Sequence, residues 1–184
     1  NISFGQGLLV TPLQMIRAYA ALANGGMMVT PRLVKQFYTF EGEFSQELPI
    51  GLRKRVMEPS TVEQVNKMLA GVASEDGTAV KAAIPGFVII GKTGTAQKAL
   101  TGQGYKTGKY VASFIGFAKN VKPNYVVFVA VDEPKFPYFG GEAAAPVFQR
   151  IMTAALTREG ISPNINLIPM NQIGKENKPK IQEK

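Results

Sequence analysis

The sequence predicts an α+β fold in which antiparallel strands are flanked by helices. Three segments rich in β-branched and aromatic residues follow one another, separated only by glycine-rich or Pro-Asn turns, and stretches of helical period stand before and after them. A chain of 184 residues, 45% hydrophobic, is long enough to bury about 70% of its unfolded surface in one core.

Thr11 is placed to cap the first helix, with Pro12 at its first position. Leu13, Ile16, Ala20 and Ala23 form one apolar stripe and Met15, Tyr19 and Leu22 another, so this helix is expected to be buried nearly all round and to end at Gly25-Gly26. Residues 32–55 have mixed period and predict a short strand or an irregular excursion. A second helix is expected from Ser60, which with Glu63 spells a capping box, with Val62, Val65, Leu69 and Val72 inward and a stop near Ser74-Glu75-Asp76-Gly77.

Strands are expected at residues 87–92, 111–118 and 125–131, as an antiparallel meander. A closing helix follows from about Ala144, with Pro146 in its first turn and Val147, Phe148, Ile151, Met152, Ala155 and Leu156 facing the sheet. Residues 1–158 are thus expected as the folded part and 159–184, increasingly polar and lysine-rich, as a flexible tail. No internal repeat is evident. No run reaches the roughly 18 apolar residues of a membrane span, and no signal peptide opens the chain, so this piece is expected to be soluble.

The chain has no histidine and no cysteine. A Ser-His-Asp triad, a His-ligated zinc, a thiolate nucleophile and a disulfide are all excluded, and lysine and hydroxyl groups must carry any catalysis. The segment that fits this restriction is Gly91-Lys92-Thr93-Gly94-Thr95-Ala96-Gln97. With Gly86 it also satisfies the phosphate-loop spacing of Gly, four residues, Gly-Lys-Thr. The four intervening residues, Phe87-Val88-Ile89-Ile90, favour an extended strand rather than a turn of inward N–H groups, and no helical period follows.

Lys-Thr-Gly on a strand is also the third signature of the penicillin-recognising serine enzymes. Further segments agree in order: Gly5-Gln6-Gly7 with Val10-Thr11-Pro12-Leu13-Gln14, Ala18-Tyr19-Ala20 with Asn24-Gly25-Gly26, Gly77-Thr78-Ala79, Phe114-Ile115-Gly116-Phe117, and Gly140-Gly141 with Ala145-Pro146-Val147-Phe148. Over residues 1 to about 158 the sequence resembles the transpeptidase domain of class B penicillin-binding proteins, and its opening segment is more similar to the division type than to the elongation type.

The resemblance implies a β-lactamase/transpeptidase-like fold, here incomplete because the outer strands and the nucleophile helix are missing. None of Ser3, Ser45, Ser60, Ser74, Ser113 and Ser162 has lysine three residues on, so the family's Ser-x-x-Lys is absent, and Ser162-Pro163-Asn164 falls after the box rather than before it. A C-terminal piece of a longer enzyme is expected, partnered by the N-terminal remainder that carries Ser-x-x-Lys and Ser-x-Asn.

By the same resemblance Lys92 lies near the nucleophile and helps relay its proton. Thr93 and Thr95 hydroxyls grip the terminal carboxylate of a D-alanyl-D-alanine stem peptide or a β-lactam, the Thr95 N–H supplies half of the oxyanion hole, and Gly94 leaves room for a substrate added as a strand. Acyl transfer needs no metal or organic cofactor. The family also implies a membrane anchor upstream, a catalytic domain on the outer face of the cytoplasmic membrane, and partners among division or wall-synthesis proteins. A non-catalytic penicillin-fold sensor or scaffold and a serine β-lactamase stand as alternatives.

Residues 92–122 hold six lysines and no acidic residue, and the chain's net charge is +8. Lys98, Lys119 and Lys122 read as solvated, while Lys106 and Lys109 are the better candidates for drawing anionic peptidoglycan to the site. The lysines do not line a helix face, so no specific nucleic-acid partner is expected. Asp132-Glu133 reads as a turn rather than an acid/base pair, and Gly77-Thr78-Ala79 as shaping the turn towards Phe87 rather than touching substrate.

Overall fold

The computed structural model describes residue 3 and residues 5–49, 51, 53–99, 104–105 and 108–167. Helix α1 (Pro12–Ala23) is followed by β1 (Met27–Met28), the hairpin β2 (Gln36–Tyr38) and β3 (Phe44–Glu47), β4 (Lys54–Arg55) and helix α2 (Pro59–Ala70). Then come β5 (Ile89–Gln97), β6 (Tyr110–Ala118), β7 (Val126–Asp132), the short α3 (Gly140–Ala143) and α4 (Ala145–Arg158).

The central sheet has the order β5-β6-β7, all antiparallel and without a register shift, which is the expected meander. Successive residues of a strand face opposite sides. Ile89, Phe114 and Ala118 therefore join Phe148, Met152 and Leu156 of α4 in one core, while Ile90 and Phe117 join Leu22 of α1 and the half-buried Val65 and Leu69 of α2 in another.

Helix α1 starts as the sequence requires. Thr11 Oγ1 accepts from the Gln14 N–H and Gln14 Oε1 accepts from the Thr11 N–H, with Pro12 in the first turn. At the other end Gly25 and Gly26 take positive φ, and the Gly26 N–H returns to the Ala21 carbonyl. The expected burial does not follow: only Ala21 and Leu22 are buried, and Leu13 is 56% exposed. Tyr19, Leu22 and Ala23 pack on the core beside Ile90 and Phe117 and Met15 borders a cavity with the sheet, while the first turn at Leu13 stands exposed.

Helix α2 begins one residue earlier than expected. Pro59 holds the preceding Glu58 extended, which makes Glu58 the N-cap, and no side chain caps this end, so the Ser60 capping box does not form. In α4 the inward stripe is Ala145, Phe148, Met152 and Leu156; Val147 and Ile151, expected to face the sheet, lie about a quarter-turn away and are exposed. The excursion at residues 32–55 contains the hairpin β2–β3, which leaves Phe37, Tyr38 and Phe44 exposed.

The expected flexible tail falls mainly on residues 168–184, which lie outside the described residues. Before them, the Asn164 N–H donates to the Gly86 carbonyl and Ile161 packs on the α4 core, so the chain folds back for a few residues beyond the helix.

Candidate active site

The first strand of the meander is longer than expected and starts later. It runs from Ile89 to Gln97, so the whole Lys92-Thr93-Gly94-Thr95 box lies inside β5. No helix begins at Lys92-Thr93, and Ile89 and Ile90 pair with Ala118 and Phe117; the phosphate-loop alternative is thereby removed.

Among the described residues β5 is an edge of its sheet. In an antiparallel pair, backbone groups point alternately towards the partner strand and away from it. The Lys98 N–H donates to the Lys109 carbonyl and the Lys119 N–H to the Val88 carbonyl, which turns the even-numbered positions of β5 inward. The N–H and C=O of Thr93, Thr95 and Gln97 accordingly face outward. This is the orientation an oxyanion donor at Thr95 requires.

Two cavities meet at this edge. The first, about 340 Å³, is lined by Lys92, Gly94, Ser113, Ile115 and Phe128 of the sheet and by Leu8, Val10, Met15 and Tyr19. Burial pushes the Tyr19 phenol up to about 12. The second, about 850 Å³, is lined by Thr93, Thr95, Thr78, Tyr110, Tyr138 and Phe139, with Gly140, Gly141 and Glu142. Gly94 belongs to the first cavity and Thr95 to the second, as strand alternation dictates, while Lys92 and Thr93 border both.

Each of the three side chains of the box has a named partner. Lys92 Nζ donates to the Thr93 carbonyl at 3.1 Å, Thr95 Oγ1 accepts from the Gly140 N–H at 3.2 Å, and Thr93 Oγ1 lies 3.3 Å from Thr78 Oγ1. Thr78, read from sequence as part of a turn-shaping Gly77-Thr78-Ala79, also stands beside the box. Glycines permit the close packing here. A Cβ at Gly140 would meet the Ser113 carbonyl at 2.2 Å and the Gly94 carbonyl at 2.6 Å, and one at Gly141 would meet the Thr78 carbonyl at 2.0 Å.

Tyr110 and Tyr138 stack with centroids 4.4 Å apart, and Phe139 packs on Tyr138, giving the second cavity an aromatic side. This wall, Thr78 and Gly140 were not assigned to the site from sequence; the agreement of Gly77-Thr78-Ala79 and Gly140-Gly141 with one family was the available signal.

The charges near the loop are largely paired. Lys98 Nζ lies 3.0 Å from Asp132 Oδ1 and 2.8 Å from Glu133 Oε1, and Lys109 Nζ lies 2.9 Å from Glu133 Oε2. Glu133, at φ 48°, turns back at the strand end, so both carboxylates reach one lysine. The hydrogen bond from Lys98, then that from Lys109, holds the Glu133 carboxyl below its usual range, and Glu133 followed by Asp132 raises Lys98. Asp132-Glu133 is thus an ion-pair anchor. Lys98 and Lys119, expected to be solvated, are paired, the latter with Glu63 at 2.8 Å. Lys109 is committed to Glu133, and Lys106 lies outside the described residues.

Comparison with known proteins shows the family. Stage V sporulation protein D of Bacillus subtilis is 40% identical over 169 residues, which are 90% of this chain and 26% of that protein. The probable peptidoglycan D,D-transpeptidase PenA of Neisseria flavescens is 37% identical over 164 residues, 89% of this chain and 38% of the relative. The crystal structure of penicillin binding protein 3 from Mycobacterium tuberculosis complexed with aztreonam superposes with a TM-score of 0.78 at 34% identity, covering 91% of this chain and 39% of that one. The chain therefore spans well under half the length of these relatives. Residues 1–153 match the family described as penicillin binding protein transpeptidase domain, and to that family the chain belongs.

Proposed function

We propose that this chain forms the Lys-Thr-Gly wall of a serine D,D-transpeptidase that cross-links peptidoglycan stem peptides and is acylated by β-lactams, the nucleophilic serine coming from a segment outside the 184 residues. The observation that carries the reading is the convergence, on one open strand edge between two cavities, of the Lys92 ammonium, the Thr93 and Thr95 hydroxyls and the outward Thr95 N–H. Relatives named as peptidoglycan D,D-transpeptidases and a neighbour solved with aztreonam support it.

Lys92 supplies positive charge beside the incoming serine and helps carry its proton. Thr93 and Thr95 hold the substrate's terminal carboxylate, and the Thr95 N–H stabilises the oxyanion as the carbonyl becomes tetrahedral. The segment carrying Ser-x-x-Lys and Ser-x-Asn seats against the first cavity, whose apolar rim of Leu8 and Val10 is exposed in this chain. A membrane anchor in that remainder, a catalytic domain on the outer face and partners from the division machinery complete the proposal.

The experiment is acylation by a fluorescent penicillin in the enzyme that carries this chain. Thr95→Pro removes the outward N–H without breaking the β5–β6 ladder, because an edge position tolerates proline, and Thr95→Val, which loses the hydroxyl but keeps the N–H, is its reference. Acylation is expected to fall about 10²- to 10³-fold below that of Thr95→Val, the usual effect of losing one oxyanion donor. Unchanged labelling in a folded Thr95→Pro variant would remove Thr95 from the oxyanion hole.

A further inference from the structure

The outward edge of β5 is not uniformly open. At Gln97 the N–H donates to Gln6 Oε1 at 2.9 Å and the carbonyl accepts from Gln6 Nε2 at 3.3 Å. The side-chain amide of Gln6 thus makes the pair of bonds that a residue of an added strand would make. Gly5 lets the segment come this close: its φ is +97°, and a Cβ there would lie 3.3 Å from Gly94 Cα and 3.4 Å from the Thr95 nitrogen. Thr95 is left open and Gln97 is closed.

We propose that Gln6 is a specificity-determining residue that ends the strand edge one pairing step beyond the reacting carbonyl. The proposal rests on the transpeptidase reading. With the terminal carboxylate at the Thr93 and Thr95 hydroxyls and the scissile carbonyl at the Thr95 N–H, the part of the acyl donor upstream of the scissile bond runs towards Gln97, antiparallel to β5. Its first residue upstream pairs with the Thr95 carbonyl. The next outward groups, two residues along, are those of Gln97, and Gln6 already holds them. The donor must leave the sheet there. The site accordingly takes a peptide extended only next to its scissile bond, and gives no advantage to a longer extended one.

The test uses the enzyme that carries this chain and N-acylated ester peptides ending in D-alanyl-D-lactate, with one, two or three residues upstream of the scissile ester. In the wild type, kcat/KM is expected to change less than about twofold between the shortest and the longest, since no strand hydrogen bond is added. In Gln6→Ala the ratio of longest to shortest is expected to rise about fivefold, the effect of one regained backbone hydrogen bond. Gln6→Glu can still accept from the Gln97 N–H but cannot donate to its carbonyl, so a smaller rise is expected; being isosteric, it carries the test if the alanine variant fails to fold. A length ratio unchanged in the folded variants, or a loss uniform across all lengths, overturns the proposal. If the wild type neither turns over a donor nor labels with penicillin, the transpeptidase reading itself fails, and this proposal with it.

Discussion

Gly94 is the position where fold and chemistry can be separated by one atom. An added Cβ would lie 2.5 Å from Ser113 Oγ, with the next nearest atom, Ser113 Cβ, at 3.9 Å. The obstacle to Gly94→Ala is therefore the neighbouring strand's hydroxyl alone. Overpacking of this kind costs about 2 kcal/mol, and the lost flexibility of the unfolded chain returns about 0.7 kcal/mol, so a net destabilisation of about 1 kcal/mol is expected.

Ser113→Ala removes the obstructing atom. The double variant Gly94→Ala/Ser113→Ala should then be at least as stable as the wild type, with a coupling energy of about 2 kcal/mol in a double-mutant cycle read by urea unfolding of the enzyme that carries this chain. Acylation should not follow stability. Gly94→Val reaches past position 113 into the cavity proposed to seat the nucleophile segment, so Gly94→Val/Ser113→Ala should fold and still fail to label with penicillin. A coupling below about 0.5 kcal/mol would refute the geometric argument, and normal labelling of the valine double variant would refute the assignment of that face to the site.

Three further outcomes follow from the same contacts. Gly140→Ala forces a methyl against the Ser113 and Gly94 carbonyls, which cannot rotate away, and breaks the bond to Thr95 Oγ1; a loss of about 2–4 kcal/mol is expected by urea unfolding. Lys92→Met should abolish penicillin acylation while changing the unfolding midpoint little, because among the described residues the ammonium makes one hydrogen bond, to the Thr93 carbonyl. Glu133→Gln should lower the melting temperature at neutral pH. Since the folded carboxyl titrates below its usual range, that stabilisation is present above the unfolded value and lost as pH falls through the folded one. The gap from wild type should therefore close only in acid and shrink with salt; a gap that persisted below the carboxylate range would show a packing role instead.

Much of the sheet was legible because its strands are dense in β-branched and aromatic residues and their turns are short. Lys92, Thr93, Gly94 and Thr95 were legible as a motif, and strand alternation then placed Gly94 and Thr95 on opposite cavities. What stayed hidden is tertiary. The Gly-Thr-Ala segment reads as a local turn, and its tertiary packing, Gly141 against the Thr78 backbone and Gly77 against Val72, sets Thr78 beside Thr93. Nothing local in Gly5-Gln6 announces a bond to a residue 91 positions away. The burial of α1 was overestimated because an apolar period states what a helix can bury, not what is present to cover it. In α4, Val147 and Ile151 are apolar enough to be counted inward, but Phe148, Met152 and Leu156 fill the available face.

The proposed division of labour puts the wall of the site on this chain and the nucleophile on another segment. Intact-mass spectrometry of the enzyme before and after excess penicillin, followed by peptide mapping, tests it most directly. One drug mass on a serine outside these 184 residues, lost in Lys92→Met, is expected. An adduct on Ser3 or Ser113, the two serines bordering the first cavity, or no adduct on any polypeptide, would contradict it.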